Sequence, residues 1–306
     1  MALFDHYKAR VVAQGFSQIL GVDYLHTFSP VVKASAMHVV LPLVVINGWS
    51  LHQLDINNAF LHDTLTDPVY MEQTPGKGVS LPKEALKKRS FTRQKSQADP
   101  SMFVFKRDLC VLYLLVYVDD LILTGNDDTV IRSIINRLHH EFLITDLGRL
   151  FYFLRIEATY TTNGLFPSQT TYAHDILDRA GLLDPQPDST PLASNMAFVI
   201  GGDAYLDPSH YRSLVGALQY LKITRPNISY VVNQVSKFLQ GPTIPHYQAV
   251  KRLMRYVKGT ISFGLSFSKP TYTTLVGYSD ADWARCLETR RSTYGYSIFL
   301  GGNLVS

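Results

Sequence analysis

A chain of 306 residues has room for two or three separately cored units, and 46% hydrophobic with 18% charged residues excludes wholesale disorder. Apolar runs such as 39–46 and 111–118 fall well short of the roughly 20 residues a membrane span needs, and the first ten residues lack the pattern of a secretory signal. A net charge of +4 is compatible with a nucleic-acid partner without requiring one.

In chain order, residues 11–12 and 31–32 lie in short β-prone runs broken by Gly15, Gly21 and Pro30. An apolar stretch over 34–47 predicts a helix ended by Asn47-Gly48, although Pro42 inside it removes a backbone donor. Residues 49–56 predict a strand. The segment 77–97 carries Lys83, Lys87, Lys88, Arg89, Arg93 and Lys95 with neither helical nor strand period, so it is expected to lie outside the core on either side. Residues 110–124, CVLYLLVYVDDLILT, predict a hairpin with Asp119 and Asp120 at its tip. Residues 127–142 predict a helix, since Val130, Ile134, Leu138 and Phe142 recur every four positions behind an acidic start. More strand follows over 145–160, then a short helix over 172–181. A proline-rich linker is expected over 184–208, and helices over 211–222, 228–238 and 247–257. A second basic group, Lys251, Arg252, Arg255 and Lys258, lies along and just past the last of these. Strands over 275–279 and 294–300 close the chain. Cys110 and Cys286 are far apart and form no CxxC, which points to a reducing compartment and no structural zinc.

Adjacent aspartates at a hairpin tip repel each other unless a cation joins them. Oxygen donors of this kind suit Mg²⁺, which takes one or two carboxylates together with substrate phosphates. Asp55, ending an apolar strand before Asn57-Asn58, is the natural third carboxylate of a two-metal site. A plain turn rich in aspartate is the competing reading of Asp119-Asp120. His139-His140-Glu141 is expected to be a solvated helix end, because adjacent helical residues face different ways. Asp282 is expected to be a turn or surface carboxylate.

The wider context of these carboxylates is distinctive. YVDD inside LLVYVDDLILTG resembles the polymerase signature of Copia-type (Pseudoviridae) long-terminal-repeat retrotransposons. The resemblance extends, in family order, through HYKARVVAQGFSQILGVDYLHTFSPVVK, LHQLDINNAFLH, VYMEQTPG, DPSMF, YRSLVGALQYLKITRPNISYVVNQV and VKRLMRYVKGT. GYSDADWA and TRRSTYGY resemble the start of the family's ribonuclease H domain. The resemblance implies an α+β reverse transcriptase, with a palm and fingers of antiparallel sheet packed on helices, a helical thumb or connection region, and a partial ribonuclease H-like α/β segment. The implied divisions are 1–76 for partial fingers and the first part of the palm, 77–98 for the aberrant basic segment, and 99–160 for the palm with its YVDD hairpin. Residues 161–270 would be thumb and connection, and 271–306 a truncated ribonuclease H start. Asp55, Asp119 and Asp120 would be the catalytic, metal-binding carboxylates, served by Mg²⁺ with Mn²⁺ as substitute. Arg10 would meet the triphosphate, a role suited to a planar phosphate donor. Phe60 would exclude a ribose 2′-hydroxyl, Tyr117 would pack near the hairpin and template–primer, and Asp280 would be a ribonuclease H remnant. The implied partners are an RNA template, a DNA primer and deoxynucleoside triphosphates, with no membrane. The implied setting is a cytoplasmic virus-like particle, or the nucleus.

The chain also departs from that pattern. The stretch resembling LYGLKQAPRAW, expected between Pro75-Gly76 and DPSMF, is replaced by the basic segment. Set against the family pattern, the fingers strands before YKAR and the later ribonuclease H carboxylates are expected to be lacking. His38 stands where the family has arginine, and Asp63 and Arg155 where it has glycine, while Pro42 interrupts a helix. The sequence is therefore expected to be an incomplete copy that does not polymerise as it stands.

Overall fold

The computed structural model describes residues 34–56, 94–95, 99, 101–117, 119–142, 144–182, 186–193, 202–284 and 290–306. The β-prone runs before residue 34, Arg10, Phe60 and Asp63 lie outside these residues, as does most of the basic segment.

Helices and antiparallel sheets alternate in an α+β fold. The first sheet contains β1 (Ser50–Ile56), β2 (Gln94–Lys95), β3 (Met102–Arg107), β4 (Cys110–Tyr117), β5 (Asp120–Gly125) and β6 (Ile144–Arg149), in the order β2-β3-β4-β5-β1-β6. Alternation along the strands sends two apolar sets to opposite faces. Leu54, Leu112, Leu121 and Leu123 pack with Ile131 and Ile135 of helix α2 (Asp128–Glu141). Leu51, Leu115 and Ile122 share the other core with Met37, Val40, Leu41 and Val44 of helix α1 (Ala34–Asn47). The sheet is thus held on both sides while its strand ends carry the polar residues.

α1 has the bounds its apolar run predicts, but it is not interrupted at Pro42, which is buried within it. Packing of a helix that is apolar nearly all round outweighs the lost backbone bond. α2 begins where Asp127 caps it, accepting from the backbone N–H groups of Thr129 (2.9 Å) and Val130 (3.1 Å). The four-residue stripe from Val130 to Phe142 forms a half-buried flank, and the fully buried line is Ile131 and Ile135.

A second antiparallel sheet runs β10-β9-β8-β7, from β7 (Tyr152–Phe153), β8 (Ile156–Thr161), β9 (Gly164–Ser168) and β10 (Phe267–Ser268). Leu165 and Phe267 carry it into the α1 core. Gly164 closes the β8–β9 turn at φ +156, where a Cβ would lie 2.0 Å from the Phe267 carbonyl oxygen, so only glycine lets β10 approach.

Helices α3 (Thr170–Arg179), α4 (Pro208–Leu221), α5 (Ser229–Ser236) and α6 (Ile244–Gly259) form a separate apolar core around Tyr211, Leu218, Val232, Leu253 and Met254. Gly181, at φ +63, ends the α3 segment as expected of a glycine stop. The expected proline-rich linker is docked in part rather than free. Asp188 pairs with Arg252 (3.3 Å) and Arg255 (2.6 Å), and Arg252 also donates to the Thr190 hydroxyl at 2.9 Å. A third sheet, β11-β12-β13, comprises β11 (Leu275–Ala281), β12 (Tyr294–Leu300) and β13 (Asn303–Leu304). The buried Asn303 amide ties it to β10, accepting from Ser268 N at 2.8 Å and donating to Ser268 O at 3.0 Å.

Two of the irregular residues have structural explanations. His38 is not idle, since its Nε2 meets the Ile223 carbonyl at 2.6 Å and so joins α1 to the turn after α4. Burial pulls its pKa down, with that carbonyl opposing. Arg155 has φ +59, a left-handed conformation that favours glycine and penalises a Cβ by about 1 kcal/mol. Its ion pair with Asp175 (3.4 Å) is half exposed and screened, so it offsets little of that cost. Arg155→Gly is accordingly expected to stabilise the fold by about 0.5–1 kcal/mol in urea denaturation. A lower midpoint would show instead that the Asp175 pair and the 5.3 Å contact of the guanidinium with the Tyr172 ring outweigh backbone strain.

Candidate functional site

The carboxylates come together through strand register. In the β4–β5 hairpin Tyr117 lies opposite Asp120, and in the neighbouring pair Asp120 lies opposite Asp55. Directly opposed residues share a face, so Tyr117, Asp120 and Asp55 form a row across three strands. The Ile56 N–H donates to the Asp119 carbonyl at 2.8 Å, fastening the hairpin tip to the end of β1. The Asp119 side chain is exposed, whereas those of Asp55 and Asp120 are half-buried.

This crowding has an electrostatic signature. Burial raises the Asp120 carboxyl above its ordinary pKa, and the carboxylates of Asp119 and then Asp55 raise it further, while a hydrogen bond from Gln53 opposes the shift. An acid whose pKa is raised on folding binds protons more tightly in the folded state. Its stabilising effect is therefore present at low pH and lost as pH rises through the raised value. Ionised Asp120 works against the fold unless a cation joins it.

The donor set fits a hard divalent cation, being all oxygen and placed on adjacent strand ends. Among the described residues no three His, Cys, Asp or Glu side chains converge closely enough to hold a metal ion. The Asp55–Asp120 pair alone matches the one or two carboxylates that such an ion takes when substrate phosphates supply the rest.

Tyr117 is half-buried and packs against the α1 core. Nearby Tyr220 of α4, whose hydroxyl donates to the Leu154 carbonyl, is pushed up to about 12 by burial first and then by Tyr117 and other neighbours. Asp280 stands apart, exposed on β11 opposite Gly295. Asp282, expected as a turn or surface carboxylate, is instead half-buried just past β11, accepting from Thr293 N at 2.6 Å and donating its own N–H to the Thr293 carbonyl at 3.1 Å. His139 and His140 are exposed at the end of α2, as a solvated helix end requires.

The sequence reading passed over Gln53. It is nearly fully buried, two positions before Asp55 and so on the same face, and its Nε2 donates to the Tyr152 carbonyl at 2.8 Å. The available signal was a long polar side chain at a core-facing position of an alternating strand.

With this geometry in view, comparison with known proteins is decisive. The profile of the reverse transcriptase (RNA-dependent DNA polymerase) family matches residues 3–88 and 80–194. The chain belongs to the reverse transcriptase family. It is 41% identical, over 99% of its length and 22% of the relative's, to the retrovirus-related Pol polyprotein from transposon RE1 of Arabidopsis thaliana. It is 33% identical, over 98% of its length and 25% of the relative's, to the corresponding polyprotein of transposon TNT 1-94 of Nicotiana tabacum. An uncharacterized mitochondrial protein of Arabidopsis thaliana is 47% identical over 64% of this chain and 81% of its own length. No solved structure matches. The chain thus represents the reverse transcriptase domain of Copia-type retrotransposon Pol polyproteins, and it spans about a quarter or less of the length of those polyproteins. Reverse transcriptases use divalent metal ions, nucleic-acid templates and nucleotides. Among the described residues no helix is long and apolar enough to cross a membrane.

Proposed function

We propose that this reverse transcriptase domain retains the carboxylate site of an RNA-directed DNA polymerase but does not sustain polymerisation as it stands. The observation that carries the reading is the register of Asp55 against Asp120, with Asp119 fastened beside them. Asp55 and Asp120 would hold Mg²⁺, or Mn²⁺ in its place, with Asp119 completing the set when substrate phosphates are present. Bound metal would activate the primer 3′-hydroxyl and stabilise the leaving pyrophosphate. The chain's own part is to fix the carboxylates on rigid strand ends and to pack Tyr117 beside the primer terminus, since phosphoryl transfer depends chiefly on positioning. Arg10 and Phe60 keep their proposed roles at the triphosphate and the sugar. The palm assignment covers 99–160 with the first part of the palm before residue 77, thumb and connection cover 161–270, and a ribonuclease H start containing Asp280 covers 271–306.

The proposed defect lies in the basic segment. The two family matches overlap within it, at residues 80–88, instead of running through it. The RE1 alignment extends over 326 positions, more than the 306 residues of this chain, so that relative carries residues this chain lacks. A remnant that only binds nucleic acid through its basic groups is less well supported, because Asp188 already occupies Arg252 and Arg255 on α6.

Primer extension on an RNA template, beside Mn²⁺ titration calorimetry, tests the proposal. The chain is expected to bind Mn²⁺, to lose at least tenfold in affinity on Asp120→Asn, and to extend primers no faster than that variant. Robust extension abolished by Asp120→Asn would overturn the defect, and affinity unchanged by Asp120→Asn would overturn the site.

A further inference from the structure

Gln53, Asp55 and Asp120 share one face where β1 pairs with β5, and the roles proposed above use only the two carboxylates. Gln53 lies opposite Ile122 in the β1–β5 pair, which makes Asp120, two residues earlier on β5, its diagonal neighbour on the same face. Diagonal neighbours lie about 7–8 Å apart at the backbone, within reach of a long side chain but not of a short one. The Gln53 amide has two N–H groups. One is committed to the Tyr152 carbonyl of β7 at 2.8 Å, which fixes the plane of the amide. The same side chain acts on Asp120, opposing the rise that burial and the neighbouring carboxylates impose on its carboxyl.

The neighbouring backbone of β6 is irregular at this position. Pairing of β1 with β6 runs His52↔Arg149 and Gln53↔Gly148, then shifts register between Gln53 and Leu54, so that Leu54 pairs with Asp146. The unpaired residue is Leu147, so the irregularity falls on β6. β1 keeps a continuous register with β5, which leaves Gln53 and Asp55 on one face with Asp120.

We infer that Gln53 is a positioning residue for the divalent-cation site, tying Asp120 through one buried amide to the backbone of β7 so that its carboxylate faces Asp55. The inference rests on the carboxylate reading above. Gln53 does not itself touch substrate or metal. It acts as an outer-shell partner of a ligating carboxylate, the kind of group whose loss typically reduces metal affinity 10–100-fold. Leaving its place to a flexible or shorter side chain would free Asp120 to rotate away from Asp55, since the two carboxylates repel.

The test uses the full chain, Mn²⁺ as probe, and three variants: Gln53→Met, Gln53→Asn and Asp120→Asn. Methionine keeps the volume and discards the hydrogen bonds, and asparagine keeps the amide but falls one methylene short. Both are expected to lose about tenfold or more in Mn²⁺ affinity by calorimetry. A role in packing alone would leave affinity unmoved in whichever variant retains the wild-type urea midpoint. Should methionine prevent folding, asparagine carries the comparison. Wild-type affinity in a folded Gln53 variant, while Asp120→Asn has lost it, overturns this inference and leaves the carboxylate site standing. Affinity indifferent to Asp120→Asn overturns both.

Discussion

Arg225→Met is expected to destabilise the chain by about 3 kcal/mol, the largest single loss outside the apolar cores. Arg225 sits in the turn between α4 and α5 with only 1% of its surface exposed. Its guanidinium donates to the Thr260 carbonyl at 2.9 Å, to the Thr260 hydroxyl at 2.6 Å and to the Asn227 side chain at 3.3 Å. The Phe263 ring centroid lies 5.3 Å from it. Burial lowers its pKa and the neighbouring Tyr256 opposes that shift, but an arginine stays charged. Among the described residues no carboxylate pairs with it. The group is therefore a buried cation satisfied by neutral oxygens at the C-terminal end of α6, a location where the helix dipole favours positive charge.

Methionine would fill the stem and remove the cost of burying a charge. It would also leave the half-buried Thr260 carbonyl and hydroxyl without their donor. Hydrogen bonds to a charged group contribute about 1.5–3 kcal/mol each, and removing the buried charge returns part of that sum, which gives the net figure. Arg225→Lys tests the geometry separately. A lysine keeps the charge but not the planar fork, so it is expected to lose nearly as much. Urea denaturation measures both, and a change below about 1 kcal/mol in either would show that the hub is dispensable.

Much of the fold was legible because apolar periodicity and punctuation agree. The α1 run ends at Asn47-Gly48, the β4–β5 hairpin is marked by β-branched and aromatic residues around Asp119-Asp120, and α4, α5 and α6 are separated by proline and glycine. What escaped was short or irregular. β3 ends in exposed Lys106 and Arg107 and alternates weakly, β9 contains Pro167, and β10 and β13 have two residues each, too few for any period. Tertiary contacts create such strands. Gln94 and Lys95 lie in the basic stretch expected to have no strand, yet they pair with Val104 and Phe103. The three carboxylates could be proposed from their positions at apolar strand ends. Their arrangement could not, because it depends on β1 inserting between β5 and β6, a pairing of segments distant in sequence. The same dependence on distant pairing gives Gln53 its partner on β7 and Arg225 its partner at the end of α6.

Replacing residues 77–98 with the aligned stretch of the RE1 polyprotein is expected to raise primer extension at least about 100-fold over the chain as it stands, the scale on which restored positioning acts. The row of Asp55, Asp120 and Tyr117 lies on β1, β5 and β4, which pack against α1 on one face and α2 on the other. Among the described residues of that segment, Gln94 and Lys95 join the sheet, at the edge farthest from Asp55. A fault there leaves the metal-binding set intact while depriving the nucleotide of contacts that the relative's sequence would supply. The rate gain should vanish on Asp120→Asn in the chimera, and Mn²⁺ affinity should differ less than twofold between the chimera and the parent chain. A chimera that folds, binds Mn²⁺ as the parent does and still fails to extend would place the defect outside residues 77–98. A chimera whose Mn²⁺ affinity rises tenfold would mean that the basic segment disturbs the carboxylates themselves, through the β2–β3 edge and on into the hairpin.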